Sequence, residues 1–315
     1  MYKLIRFYNQ NRRKILMTIL IIVFILGMIK LVNYFSKTNI NNNAEQNIVA
    51  KNTEVNQGLV SNKSAVYGQN VSSKKIENDV DLINEFINYC NEGNINSAYE
   101  LLTNNCKENM FPMVEDFNNI YYSKLFDEKK SSTIENWVGD TYQVRFTGDI
   151  LSTGDLSNNE TKQDYITVVK EDGENKLNIN SYIGRTTSNK TTEYKNIKVT
   201  VTSIDTYMDY EIYNLSIKNN SDNTILLDTS DDTKSIYLLD SKGVKYYSYS
   251  AEVVENILLI QSEFQNDLKI KFTNSYSSSR EIDSLVFSKL VLNYDEYKDL
   301  ENKEEYKLCQ FNVNI

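Results

Sequence analysis

The chain has 315 residues, a net charge of −9 and no histidine. Without an imidazole, Ser-His-Asp and Cys-His nucleophilic arrangements and most catalytic zinc sites cannot be assembled. Its three cysteines, Cys90, Cys106 and Cys309, show no C-x-x-C spacing, so neither a metal ligand set nor a thiol-redox centre is indicated, and only Cys90 and Cys106 are spaced to pair.

The amino-terminal end is basic and acid-free from Met1 to Lys14, then apolar from Ile15 to Ile29. A helix continued to Phe35 would extend about 31 Å, which matches a hydrocarbon core of roughly 30 Å. Lys30 then lies near the far boundary, where its long stem carries the ammonium to the headgroups beside Tyr34 and Phe35. Arg12, Arg13 and Lys14 flank the near side, and the positive-inside rule places that side in the cytoplasm. The run ends in Asn33-Tyr34-Phe35-Ser36 with no small-x-small cleavage pattern. These features predict a cytoplasmic tail over 1–14, a transmembrane helix over 15–35 in contact with the lipid bilayer, and a single-pass protein of the cell membrane with its carboxyl-terminal domains extracytoplasmic.

Residues 1–44 hold seven of the 34 Lys and Arg and no acid, leaving 27 bases against 43 acids beyond them, a net charge of −16. So acidic a body repels phosphate backbones, which argues against nucleic acid as a partner. Residues 36–77 are rich in Asn, Ser, Lys, Gln and Val with no sustained period, and are expected to form a disordered linker.

Folded structure is predicted from about Asn78. Leu82, Ile83, Phe86, Ile87 and Cys90 form one helical stripe ended by Gly93; Asn96 is the expected cap of a second helix carrying Ala98, Leu101 and Leu102; a third helical piece, Val114 to Phe126, follows Pro112. From Trp137 the period becomes two, with Tyr142, Val144 and Phe146 on one face, and Asp164–Lys170 and Lys176–Ser181 flank a Glu171-Asp172-Gly173-Glu174 turn. Helices followed by sheet predict an α+β domain over 78–187.

The run Asn91-Glu92-Gly93-Asn94-Ile95-Asn96-Ser97-Ala98-Tyr99-Glu100-Leu101-Leu102, then Cys106-Lys107 and Phe111-Pro112 before Phe117, resembles the opening helices of the nuclear-transport-factor-2-like superfamily. That resemblance implies a cone-like α+β fold in which a curved sheet wraps a helix, with Trp137, Tyr142 and Phe146 lining a pocket. Catalytic members often place an Asp-His pair in the cone. The missing histidine favours assembly or binding instead.

From Tyr194 strand signals continue to the end: Ile197, Val199 and Val201; Tyr213, Leu215 and Ile217; Ile236 to Asp240; the Ser241-Lys242-Gly243 turn; Val244 to Tyr249; Leu268, Ile270 and Phe272; Leu285 to Leu292; and Cys309, Phe311, Val313 and Ile315. Leu215-Ser216-Ile217-Lys218-Asn219-Asn220-Ser221 and Tyr237-Leu238-Leu239-Asp240-Ser241-Lys242-Gly243-Val244-Lys245-Tyr246 resemble the immunoglobulin-like module of Gram-positive surface proteins, implying an all-β sandwich over 194–315 with no shared catalytic residues.

Asp228, Asp231 and Asp232 crowd one loop but lack EF-hand spacing and read as solvated turn acids. Tyr246, Tyr247 and Tyr249 could form an aromatic recognition face, or divide between core and surface. No catalytic, cofactor-binding or metal-ligating residue stands out. The expected function is that of a non-enzymatic, membrane-anchored protein-interaction scaffold binding other envelope proteins, in its sharper form a component of a secretion or conjugation apparatus. The alternative is an extracytoplasmic receptor for a small molecule or envelope fragment, using the cone.

Overall fold

The structure is a computed structural model that describes residues 73–148, 161–229, 234–249, 255–273, 275–276 and 280–315. Its first element, α1 (Ser73–Asn91), buries Ile76, Val80, Ile83, Ile87 and Cys90 along one stripe, which is what gives this segment a reason to be helical. Gly93 ends it at φ +73°, a left-handed conformation natural to glycine. Asn94, rather than the expected Asn96, caps α2 (Ile95–Glu100) by accepting the Ser97 N–H, and Thr103 caps α3 (Asn104–Met110) through the Cys106 N–H. After Pro112, α4 (Val114–Phe117) runs through a π-helical turn (Asn118–Tyr122) into α5 (Ser123–Leu125). Phe117 and Tyr121 stack inward from this widened turn with ring centres 5.8 Å apart.

Strands β1 (Lys130–Val138), β2 (Thr141–Gly148), β3 (Lys162–Glu171) and β4 (Glu174–Asn178) form an antiparallel sheet in chain order. Asp172 and Gly173, both at positive φ, make the tight turn between β3 and β4. The helices lie against the inner face of this sheet. Phe86, Phe111, Phe117, Tyr142 and Phe146 fill the space between them and form the first apolar core.

The second core lies between two four-stranded antiparallel sheets. One has the order β12 (Gln265–Thr273), β7 (Tyr210–Asn219), β6 (Ile197–Tyr207), β5 (Tyr182–Tyr194); the other has β10 (Lys245–Tyr247), β9 (Ile236–Asp240), β13 (Ile282–Leu290), β14 (Cys309–Asn314). A two-stranded sheet of β8 (Ile225–Leu226) and β11 (Leu259–Ile260), the latter preceded by α6 (Glu255–Leu258), closes one side, and α7 (Tyr294–Asp299) joins β13 to β14. Ile197, Val199 and Val201 meet Leu285, Phe287 and Phe311 inside.

Strands β5 and β6 serve both cores. Tyr182 and Tyr207 stand in the first, whereas Ile197, Val199 and Val201 belong to the second and Tyr194 packs on Phe311. Register breaks at Thr187/Lys190 and Val201/Ser203, with Asn189 at φ +56°, turn the ribbon between the two. Residues 188–193, between the two expected domains, therefore lie inside one continuous strand.

Two expectations are corrected here. The fold is not an α+β cone and a separate immunoglobulin-like sandwich: among the described residues strands predominate in four antiparallel sheets, α1–α5 cover one face of the first sheet, and the space a cone would leave open is packed with aromatic rings. Nor is a single-pass membrane protein of a Gram-positive cell surface, with a cytoplasmic amino terminus and extracytoplasmic domains, supported. Among the described residues no helix is long and apolar enough to cross a membrane. The expected span over 15–35, its flanking Arg12, Arg13, Lys14 and Lys30, and the linker over 36–77, as far as residue 72, lie outside the described residues.

Cys90 and Cys106 are free thiols buried in the first core, and Cys309 is half-buried on β14. Burial pushes the Cys106 thiol up to about 12 and raises that of Cys90 as well, so neither supplies thiolate at neutral pH. An aromatic disulfide reagent should accordingly titrate Cys309 alone in the native protein and all three thiols in urea. A count of one in urea would mean that Cys90 and Cys106 are oxidised to each other.

Candidate functional site

Hairpin β9–β10 is set by its turn. The Asp240 carboxylate accepts the N–H of Lys242 at 2.9 Å, the N–H of Val244 at 2.8 Å and the Tyr246 hydroxyl at 3.1 Å, while Gly243 takes φ +81°. Burial alone would raise the Asp240 carboxyl, but these donors and the nearby Lys242 ammonium hold it below the usual carboxylate range. The turn thus fixes the register Lys245↔Leu239, Tyr246↔Leu238, Tyr247↔Tyr237.

That register sorts the tyrosines. Tyr246 turns toward the second core, with the Arg280 guanidinium 5.0 Å from its ring centre. Lys245, Tyr247 and Tyr249 face outward, Tyr247 being 38% and Tyr249 47% exposed. Tyr237, directly across from Tyr247, meets it edge-on at 6.1 Å, and the Lys245 ammonium sits 4.1 Å over the Tyr237 ring. Beyond β10 the chain crosses to the other sheet: the Tyr249 N–H donates to Lys271 O at 2.8 Å. There the Lys271 ammonium lies 4.2 Å from the Tyr210 ring and 5.3 Å from that of Tyr249. Tyr210 stacks on Tyr207 at 4.2 Å, and Tyr207 packs on Tyr182 at 5.0 Å.

The result is a strip of tyrosine rings and lysine ammoniums that crosses from one sheet of the second core to the other and ends on the first core; Lys245, Tyr247 and Tyr249 are its exposed part, whereas Tyr182, Tyr207 and Tyr237 are buried beneath it. The exposed rings of Tyr247 and Tyr249 offer a stiff contact area with a polar tip, and the Lys245 and Lys271 ammoniums are each held over a π-face. Among the described residues no group of three or more His, Cys, Asp or Glu is placed to hold a metal.

The other sequence candidates are placed as follows. Tyr142 and Phe146 point into the first core and are filled in by it; Tyr142 donates to the Asp79 carboxyl at 2.8 Å. Trp137 lies on the opposite face of β1, between the inward Asn136 and Val138, with its ring 5.4 Å from Tyr165. The three are not brought together into a pocket, because the strand parity that buries Ile134 and Val138 turns Trp137 away. Asp228 is fully buried and accepts the Ser235 hydroxyl at 2.5 Å and the Lys289 N–H at 2.9 Å, so its oxygens are bound within the protein. Asp231 and Asp232 lie outside the described residues. Tyr207, Tyr210, Tyr237 and Lys271 are the members of the strip that sequence reasoning missed. Of these only Tyr237, ten residues from Tyr247 across a visible turn, carried a local signal.

Comparison with protein-family models, curated proteins and solved structures returns no match, so neither resemblance read from the sequence gains a relative.

Proposed function

We propose that this chain is a non-catalytic recognition protein that engages a protein partner through the tyrosine–lysine strip. The observation that carries the reading is the outward pair Tyr247 and Tyr249, set among the Lys245 and Lys271 ammoniums. Tyrosine is among the residues on which interfaces concentrate binding energy, because a ring orders few torsions for the area it buries. The cations favour a partner that presents carboxylates. In an acidic chain, they also orient its approach, since a local positive strip stands against a negative background.

A photo-cross-linking residue placed at Tyr249 in cells making the full chain should yield a discrete adduct identifiable by mass spectrometry. The double variant Tyr247→Ala, Tyr249→Ala should bind that partner at least about tenfold more weakly. Its folding stability should fall by about 1–2 kcal/mol, because each ring is still more than half covered, so affinities are compared at a temperature where both proteins are folded. An adduct whose affinity is the same for the double variant and the wild type removes the basis for this reading.

A further inference from the structure

A second feature lies apart from the strip. A surface cavity of about 470 Å³ opens between the first described turns of α1, the β1–β2 turn and the β3–β4 hairpin. Lys74 and Lys170 stand exposed on its wall, from α1 and β3 respectively. Lys75 also lines it and is ion-paired with Asp140. Three ammoniums against the two carboxylates of Asp79 and Asp140 leave the lining net positive, on a chain that is net negative. A concave, partly desolvated wall focuses such a charge and draws anions.

The rest of the lining narrows the ligand. Asp79 is almost wholly buried, and one of its oxygens accepts the Tyr142 hydroxyl at 2.8 Å, so the carboxyl is fixed in place at the cavity floor. Burial raises its pKa, with the Tyr142 bond and the Lys75 charge pulling the other way. Asn78 and Asn175 each bring an amide that can both donate and accept. Val168 is the single apolar side chain of the lining. A lipid or aromatic ligand would find a single apolar side chain here, whereas hydroxyl groups would find donors and acceptors on several sides. The volume falls in the range of small-molecule sites.

We propose that this cavity binds a hydroxylated organic anion of the sugar-phosphate or sugar-acid class, its anionic group on Lys74 and Lys170 and its hydroxyls on Asp79, Asn78 and Asn175. The site is separate from the tyrosine–lysine strip, and either can fail without the other.

Titration calorimetry of the full chain tests it, with glucose 6-phosphate, glucuronate, glucose and inorganic phosphate as probes. Glucose 6-phosphate or glucuronate should bind, and glucose should not. The double variant Lys74→Gln, Lys170→Gln, both positions being exposed and tolerant, should weaken binding at least tenfold with an unchanged thermal unfolding midpoint. Asp79→Asn should weaken the sugar anion more than inorganic phosphate. The Tyr247→Ala, Tyr249→Ala variant should bind as the wild type does. Absence of binding by both sugar anions, equal affinity for inorganic phosphate, or insensitivity to the lysine substitutions overturns the proposal.

Discussion

Asp164→Ala is expected to lower folding stability by about 3–5 kcal/mol, measured by urea unfolding, because it orphans a set of buried donors. Asp164 sits fully buried on β3 and gathers four of them. Its Oδ2 accepts the Tyr121 hydroxyl and the Asn180 N–H, each at 2.8 Å; its Oδ1 accepts the Ser181 N–H at 2.8 Å and the Tyr165 N–H at 2.7 Å. Asn180 and Ser181 are consecutive left-handed residues, at φ +58° and +61°, and this backbone turns both N–H groups toward one point. Successive amides so arranged form an anion-binding concavity, which the chain fills with its own carboxylate. Alanine leaves the concavity empty and the strained pair without the charge that holds it. Asp164→Asn keeps the shape but aims an amide NH2 at donors, so it should recover only part of the loss.

The pH dependence of this pair of variants follows from the sign of the shift. Burial is the largest influence on Asp164 and raises its pKa; the bonds from Asn180, Tyr121, Ser181 and Tyr165 oppose it without cancelling it. An acid with a raised native pKa binds more protons folded than unfolded between the two values. Its contribution is therefore fully present below the unfolded value near 3.9 and declines as pH rises through the folded one. The stability gap between wild type and Asp164→Asn should be widest in acid and settle to a smaller constant value at neutral pH. A gap that widens with rising pH would show that the four donors, not burial, dominate.

What could be read from the sequence tracks where burial is one-sided and local. Ile197, Val199 and Val201, then Tyr213, Leu215 and Ile217, then Leu268, Ile270 and Phe272, alternate in sequence and are all buried, because each strand lays one face on the second core. The stripe Ile83, Phe86, Ile87, Cys90 is equally plain, since α1 has the sheet on a single side. Strand β5 escaped. Its residues 185–193 are Arg, Thr, Ser, Asn, Lys and Glu with no apolar period, because it runs along a sheet edge and is held by backbone pairing to β6 and by polar contacts to β14, such as the Asn314 N–H on the Thr192 hydroxyl. Residues 188–193, expected to lie between two domains, are part of this strand. The tyrosine–lysine strip was half visible for a related reason: Tyr247 and Tyr249 are near neighbours in sequence, but Tyr210 and Lys271 join them only through the pairing of β7 with β12. The cavity had no signal at all, since Lys74 and Lys170 come to line one cavity only after the β3–β4 hairpin folds back onto α1.

Asp205→Ala should cost about 3–5 kcal/mol, the range for breaking a buried ion pair on one side, and should also uncouple the two cores. Asp205 on β6 is almost completely buried. Its Oδ1 accepts Arg185 Nε at 2.7 Å, Asn109 Nδ2 at 3.2 Å and the Tyr182 hydroxyl at 3.3 Å, and its Oδ2 accepts Arg185 Nη2 at 3.1 Å and Asn214 Nδ2 at 2.9 Å. Arg185 Nη2 also donates to the Asn109 side chain. One carboxylate thus ties α3, β5, β6 and β7 together where Tyr182 and Tyr207 leave the first core. Arg185→Ala should be milder, about 2 kcal/mol, because Asn109, Tyr182 and Asn214 still solvate the carboxylate it abandons. Trp137, the chain's single tryptophan, lies on the sheet of the first core and reports its unfolding by fluorescence, while far-ultraviolet dichroism weighs the strands of both. In the wild type the two transitions should coincide. In Asp205→Ala the fluorescence midpoint should fall below the dichroism midpoint; coincident transitions with a loss under 1 kcal/mol would show that β5 and β6 alone couple the cores. The pH slope should run opposite to that of Asp164. Burial alone would raise Asp205, but the bonds from Arg185 and Asn214 and the Arg185 charge outweigh it and hold its pKa low. Its contribution is present above the unfolded carboxylate value and is lost as pH falls through the folded one, so Asp205→Asn should flatten acid unfolding where Asp164→Asn steepens it. Two aspartates, both buried and both richly hydrogen-bonded, differ in sign because only one of them faces a cation.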